Sequence, residues 1–195
     1  MAAVVSKRGE NVVPRVLAML NGLKHRGADF HGVATPNLVI LAKSMEEIKV
    51  ENVNSNVAIG HNLSRILEED CPQPVQGDGF TLVFEGRLFP PSVEPDVKEV
   101  VKRLRSDPLK GAERAIKELD GSYVFAIALP GRVVVGRDPM GVVPLYYGEN
   151  EDVCALASER KALWRLGMEN VKAFPPGNLA AVNAQGFSFK PIRTI

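Results

Sequence analysis

The chain has 195 residues, of which 45% are apolar and 24% are charged, and its formal net charge is +1. This length and composition are typical of one globular domain that buries a core of its own. The small net charge disfavours a protein that binds nucleic acid through a basic excess, and no apolar run approaches the ~20 residues of a membrane helix. We therefore predict a single domain over residues 1–195, with neither nucleic acid nor a membrane as partner.

The two cysteines, Cys71 and Cys154, do not have the spacing of metal ligands, and no pattern in the sequence indicates a cofactor. The N-terminal apolar run is too short for the core of a signal peptide. We expect both thiols to be structural and unpaired in a reducing compartment, which predicts a cytoplasmic protein.

In the first half of the chain, apolar residues at helical spacing predict a helix from about residue 12 to 23. Asn11 is its expected N-cap, and Gly27 is expected to close it. A capping-box pattern from Ser44 to Glu47 predicts a second, short helix. Strands are predicted at 2–6, 30–35, 38–42, 57–66 and 80–85.

In the second half, a proline-rich bend precedes a predicted helix with apolar residues from Val97 to Leu104. A further helix is predicted at 111–118 and another at about 158–166. Strands are predicted at 122–129, 132–136, 144–147, 153–157 and 179–183. Many strands with few helices favour layered α+β packing over alternating βαβ units.

Several segments follow one another in an order that is typical of a known family. They are residues 23–29 (LKHRGAD), 59–61 (IGH), 83–88 (VFEGRL), 119–126 (LDGSYVFA), 136–147 (GRDPMGVVPLYY), 157–163 (ASERKAL) and 175–177 (PPG). Together they resemble the class II, or N-terminal-nucleophile, glutamine amidotransferases, most of all the glutamine-hydrolysing domain of asparagine synthetase. The resemblance implies the Ntn-hydrolase fold, an α+β four-layer αββα sandwich of two antiparallel sheets.

The resemblance also implies a chemistry whose nucleophile is missing from this sequence. In the family the first residue is a cysteine, whose thiolate attacks the side-chain amide of glutamine while its own α-amino group acts as base. The family opening Cys-Gly-Ile is not found here. Either Ala2 replaces the cysteine, or a few residues are deleted and residues 3–6 continue the first strand.

The family's oxyanion donors are an Asn-Gly pair, and the matching residues are Glu85 and Gly86. An ionised Glu85 has no proton to donate, whereas Gly86 keeps its N–H. The arginine that binds the glutamine α-carboxylate is matched by Leu63. Arg65 lies two residues further on and would share a strand face with Leu63, displaced by roughly 6–7 Å.

The family's aspartate for the glutamine α-amino group is matched by Glu94 or Asp96. The resemblance therefore predicts a non-catalytic domain that binds a small polar or amino-acid-like ligand, or a partner protein, in the former glutamine cleft. The candidate ligand-binding residues are Arg65, Glu85, Gly86 and Asp96, with no catalytic residue and no metal.

Two other functions remain open from the sequence. One is an active subunit that hydrolyses glutamine and supplies ammonia to a separate synthase, which requires a gene start upstream of Met1 that encodes the missing cysteine. The other is an interaction subunit with an empty cleft, which predicts a broad apolar surface patch.

Overall fold

A computed structural model describes residues 1–91 and 93–194. In chain order the strands are β1 (Ala2–Ser6), β2 (Phe30–Thr35), β3 (Leu38–Ala42), β4 (Val57–Leu63), β5 (Val75–Gln76), β6 (Thr81–Phe89), β7 (Asp120–Leu129), β8 (Arg132–Arg137), β9 (Tyr146–Glu149), β10 (Val153–Ala157), β11 (Lys172–Ala173), β12 (Asn178–Asn183) and β13 (Gly186–Pro191). The α-helices are α1 (Val13–Gly22), α2 (Asp96–Leu104), α3 (Pro108–Glu118) and α4 (Arg160–Trp164). None of the helices in these two ranges combines the length and the apolar character needed to span a membrane.

The strands form two antiparallel sheets. The first has seven strands in the order β11-β9-β10-β1-β4-β2-β3, and the second has six in the order β13-β12-β8-β7-β6-β5. One apolar cluster fills the space between the sheets, while α1 and α4 cover the outer face of the first sheet and α2 and α3 that of the second. The predicted four-layer sandwich of antiparallel sheets is confirmed.

Strand β1 lies in the middle of the first sheet, where Ala2 pairs with Gly60 of β4 on one side and with Ala157 of β10 on the other. Its residues alternate between the two core layers because successive side chains of a strand point to opposite faces. Ala3 and Val5 face the second sheet, as does the side chain of Met1, whereas Ala2 faces α1 and α4. This alternation determines which N-terminal side chain can approach the cleft between the sheets.

Some predicted boundaries were wrong for local reasons. Strand β4 ends at Leu63 rather than at residue 66, because the chain then turns and Asp70 accepts hydrogen bonds from the amides of Ile66 and Leu67. Helix α3 begins at Pro108, since Asp107 caps it by accepting from the Leu109 and Lys110 amides. The capping-box segment forms only a 3₁₀ turn (Met45–Glu47) without a side-chain cap.

Candidate functional site

A cavity of about 280 Å³ opens between the two sheets, beside the start of α2. Strands β4 and β6 form two of its walls, and the loop that follows β4 forms a third. Residues that line it include Arg26, His61, Leu63, Ile66, Asp70, Cys71, Phe84, Glu85, Gly86, Arg87, Asp96 and Val97. Each end of the cavity has charged side chains that form ion pairs with one another. The pairing of charges is more complete at one end than at the other.

The α-amino group of Met1 does not line the cavity itself but contacts Glu85, which does. Met1 is only 3% exposed, and its ammonium donates to Glu85 Oε2 at 2.8 Å and to Ser158 Oγ at 2.6 Å. The Ser158 hydroxyl in turn donates to Glu85 Oε2 at 2.7 Å. The main-chain amine that contacts Glu85 is therefore that of Met1, which precedes Ala2 in the chain.

Arg26 supplies a second cation to Glu85. Its Nη2 contacts Glu85 Oε1, and its Nη1 lies 3.5 Å from Glu159 Oε1. Burial by itself would raise the pKa of Glu85, but the Met1 ammonium and Arg26 outweigh it and hold that pKa well below its usual range. Glu85 is therefore an ionised carboxylate at the position where the family pattern has an amide.

His61 is a buried histidine of β4 that faces the same cavity. Burial and the nearby Met1 ammonium lower the pKa of His61 to about 3, so the imidazole is neutral at physiological pH. Its Nδ1 has no hydrogen-bond partner within residues 1–91 and 93–194. The ring can therefore form a hydrogen bond with a group inside the cavity but carries no charge.

At the outer end, Arg87 forms a bidentate ion pair with Asp70, with N–O distances of 2.7 and 2.8 Å. Asp96 lies 4.0 Å from Arg87 Nη1, and its Oδ2 accepts a hydrogen bond from the Leu88 amide at 3.2 Å. Burial raises the pKa of Asp96, and the negative charge of Asp70 acts in the same direction. One guanidinium thus serves two carboxylates at this end.

Comparison with solved structures supports the fold assignment. A glutamine phosphoribosylpyrophosphate amidotransferase from Bacillus subtilis covers the whole chain with a TM-score of 0.82 at 19% identity, and the match takes in 49% of that chain. A glutamine aminotransferase class-II domain protein from Silicibacter pomeroyi covers 98% of both chains with a TM-score of 0.62 at 14% identity.

Comparison with sequences decides the family. A family model described as a glutamine amidotransferase domain matches residues 89–165. A putative glutamine-hydrolysing asparagine synthetase of Methanocaldococcus jannaschii is 30% identical over 181 residues, which cover 85% of this chain and 33% of the relative. The chain contains a class II glutamine amidotransferase domain. An amidophosphoribosyltransferase of the same organism is 24% identical over 210 residues, with 88% of this chain covered, and the chain spans between 33% and 44% of these two curated relatives.

Three of the four site residues predicted from the sequence line the cleft of this amidotransferase domain, namely Glu85, Gly86 and Asp96. Arg65 is exposed, and its guanidinium donates to the Glu68 carbonyl at 2.6 Å, outside the residues that line the cavity. Of the two acidic residues that the sequence left open, Asp96 lines the cavity. Glu94 pairs with Lys102 at 2.9 Å and does not line the cavity.

Other functional groups were not anticipated from the sequence. Arg26, which belongs to the family segment 23–29, forms an ion pair with Glu85 that the sequence did not predict. Cys71 was interpreted as structural, but it lines the cavity, and burial raises the pKa of its thiol. Arg87 directly follows the Glu85-Gly86 pair, at a position where the family pattern has a glutamate. This exchange of charge is a sequence signal that could have identified the ion pair at the outer end.

A second groove, of about 440 Å³, lies apart from the cleft and bears on the interaction-subunit alternative. Three large apolar side chains border it, and their exposed fractions are 60% for Phe89, 65% for Met140 and 68% for Val142. Exposed apolar groups of this size are typical of surfaces that contact another molecule, although nothing within the chain identifies what would cover them.

Proposed function

We propose that this class II amidotransferase domain does not hydrolyse glutamine and that its cleft serves for binding. The observation that carries the proposal is Glu85, an ionised carboxylate held by the Met1 ammonium and by Arg26 where the reaction requires an oxyanion donor. The resemblance implies that a tetrahedral oxyanion would form beside this residue. A carboxylate there repels the developing negative charge.

The groups that would start the reaction are also unsuited to it. The Met1 α-amino group donates hydrogen bonds to Glu85 and Ser158, so it is engaged with these side chains and not with a reacting thiol. Met1 itself carries a thioether, which is not a thiolate nucleophile. Cys71 lines the cavity, but burial raises the pKa of its thiol, so the reactive thiolate is disfavoured.

Substrate positioning supports the same conclusion. Leu63 lines the cavity where the family pattern has the arginine for the glutamine α-carboxylate. Arg65 does not substitute for it, because its guanidinium is directed to the Glu68 carbonyl. A glutamine carboxylate in this cleft would therefore be desolvated without a cationic partner, which is unfavourable for a charged group.

Covalent trapping tests the proposal. A diazoketone analogue of glutamine alkylates the N-terminal cysteine of a working site, and the adduct is detected by intact-mass spectrometry. We expect no stoichiometric adduct on this chain, either before or after Cys71→Ser substitution. A stoichiometric adduct would contradict the proposal, and its loss in the Cys71→Ser variant would identify Cys71 as the nucleophile.

A separate experiment decides the alternative of an active subunit that supplies ammonia to a separate synthase. That alternative requires a gene start upstream of Met1 that encodes the missing cysteine. Determining the N-terminal residue of the protein isolated from its source, by mass spectrometry, distinguishes the two directly.

The unpaired Cys71 and Cys154 agree with the proposed cytoplasmic setting, in which thiols stay reduced.

A further inference from the structure

We infer that the cavity binds a small organic amine that has no carboxylate group, and that it selects against amino acids. The inference rests on the proposed function, because a cleft that does not hydrolyse glutamine can bind a different ligand. It is carried by the unequal pairing of charges at the two ends of the cavity and by one unpartnered histidine.

The outer end of the cavity has a surplus of negative charge. Arg87 is bonded in bidentate fashion to Asp70, while Asp96 lies at the 4.0 Å limit of an ion pair with the same guanidinium. The side chain of Asp96 is 12% exposed, so water screens it poorly. An ammonium group placed beside Asp96 would supply the missing cation and would donate hydrogen bonds to its carboxylate.

Neither arginine of the cavity is free to bind a ligand carboxylate. Both oxygens of Asp70 hold Arg87, and Asp70 Oδ2 also accepts from the amides of Ile66 and Leu67, which fixes the aspartate within its loop. The pair leaves Arg87 with unused N–H donors, but its single charge is already shared by Asp70 and Asp96, so a ligand carboxylate would be a third anion beside one cation. Arg26, at the other end, is shared between Glu85 and Glu159.

The inner part of the cavity specifies the remainder of the ligand. His61 is 5% exposed and neutral, and its Nδ1 lacks a partner in the part of the chain that the structure describes. An uncharged polar group, such as an amide, would satisfy this nitrogen. Leu63, Phe84 and Val97 line the space and suit a short apolar linker. A volume of about 280 Å³ is at the small end for ligand pockets, so the ligand is small.

A matched pair of probes isolates the carboxylate. L-Glutamine and 4-aminobutanamide share the amine, the linker and the amide, and they differ only in the α-carboxylate. Isothermal titration calorimetry of the full chain at neutral pH should show binding of 4-aminobutanamide. We expect glutamine to bind at least about tenfold more weakly, because its carboxylate would be buried without a partner.

Two variants test the role of the outer end. Asp96→Asn keeps an oxygen that can accept from the Leu88 amide but removes the charge, so we expect it to weaken 4-aminobutanamide binding by about tenfold or more. Glu94→Gln removes a nearby charge outside the cavity and should leave the affinity unchanged. Equal thermal unfolding of the two variants would show that both are folded.

Three results would overturn the inference: glutamine binding as tightly as the amine, no heat of binding with either probe, or unchanged amine affinity in Asp96→Asn. Measuring ammonia in the same glutamine samples separates this inference from the proposed function. Ammonia release would refute the inactive cleft whatever the affinities are. If no ammonia is released and the amine does not bind, only the proposed ligand class is refuted.

Discussion

Replacing Glu85 with leucine is expected to lower the free energy of unfolding by about 3 kcal/mol, because it removes the counter-ion of the buried Met1 ammonium and one of the two counter-ions of the half-buried Arg26. The Met1 ammonium would lose one of its two hydrogen-bond acceptors, and Arg26 would keep only the 3.5 Å contact with Glu159. Urea unfolding at neutral pH measures the change. Glu151→Leu is the matched control, because Glu151 is 93% exposed and its contact with Arg8 is 3.6 Å long, and its stability should equal that of wild type.

The Glu85 effect should also depend on pH. The pKa of Glu85 is depressed in the folded protein, so its stabilising contribution is complete above the unfolded carboxyl pKa of about 4.3 and is lost as pH falls below it. The stability difference between wild type and Glu85→Leu should therefore shrink in acid. A difference that stays constant from pH 7 to pH 3 would show that the charge of Glu85 does not stabilise the fold.

His61 also makes the free energy of unfolding decrease in acid, and this decrease begins at a higher pH than the one due to Glu85. Its pKa is lowered to about 3 in the folded protein, whereas an unfolded histidine titrates near about 6.5. The unfolded chain therefore binds the additional proton between these values, and stability falls as pH decreases through this window. Because the Glu85 carboxylate acts to raise the pKa of His61, Glu85→Leu would lower that pKa further, and the comparison of this variant with wild type reports both groups together.

Restoring the nucleophile alone is expected to leave glutamine hydrolysis near the blank. A chain with cysteine in place of Met1 would have a thiol and an amine at the correct main-chain position. Glu85 would still face the oxyanion, and the loss of one good oxyanion donor costs about 10²–10³ in rate. Leu63 would still fail to hold the substrate carboxylate, and such mispositioning costs a comparable factor.

The combined variant is the informative comparison. Met1→Cys with Glu85→Asn and Leu63→Arg restores the three functions together, and ammonia release from glutamine should become measurable. Effects of groups that act as a unit are not additive, so no pair of these changes is expected to reach the rate of all three. Rapid hydrolysis by the Met1→Cys variant alone would show that Glu85 and Leu63 do not block the reaction.

The alternation of β1 provides a control for position. Ala2 packs among the residues that face α1, whereas the Met1 side chain lies in the cluster between the sheets. A cysteine at position 2 would therefore point away from the cleft. Ala2→Cys, combined with Glu85→Asn and Leu63→Arg, should remain inactive while Met1 is retained.

The four-layer fold was predictable because the family segments follow one another in order along the chain. In the segment 136–147, Asp138 accepts from the Gly141 amide at 2.9 Å and Gly141 has a φ of 62°, which is the geometry of a tight turn. The same carboxylate also accepts from the Tyr123 amide at 3.0 Å, which ties the turn to β7. Small and β-branched residues at 2–6 predicted a strand, which the structure has as β1.

The site was less predictable because its contacts join distant parts of the chain. The pair formed by Asp70 and Arg87 depends on the turn after β4, and strand periodicity wrongly extended that strand through residue 66. That error also placed Arg65 on the face of Leu63, whereas its side chain bonds to the turn. The sequence could not show which residue occupies the position of the family's first residue. A deletion and a substitution would both leave the same apolar N-terminal segment.

Steady-state ammonia release from L-glutamine by the purified chain, measured at neutral pH against an enzyme-free blank, tests the central claim most directly. The ionised Glu85 beside the Met1 ammonium and the absence of a carboxylate-binding arginine at Leu63 predict a rate equal to the blank at every glutamine concentration. Saturable ammonia release above the blank would contradict this account, since it would show that the cleft hydrolyses glutamine with the groups it has, and its loss in Cys71→Ser would identify that thiol as the nucleophile.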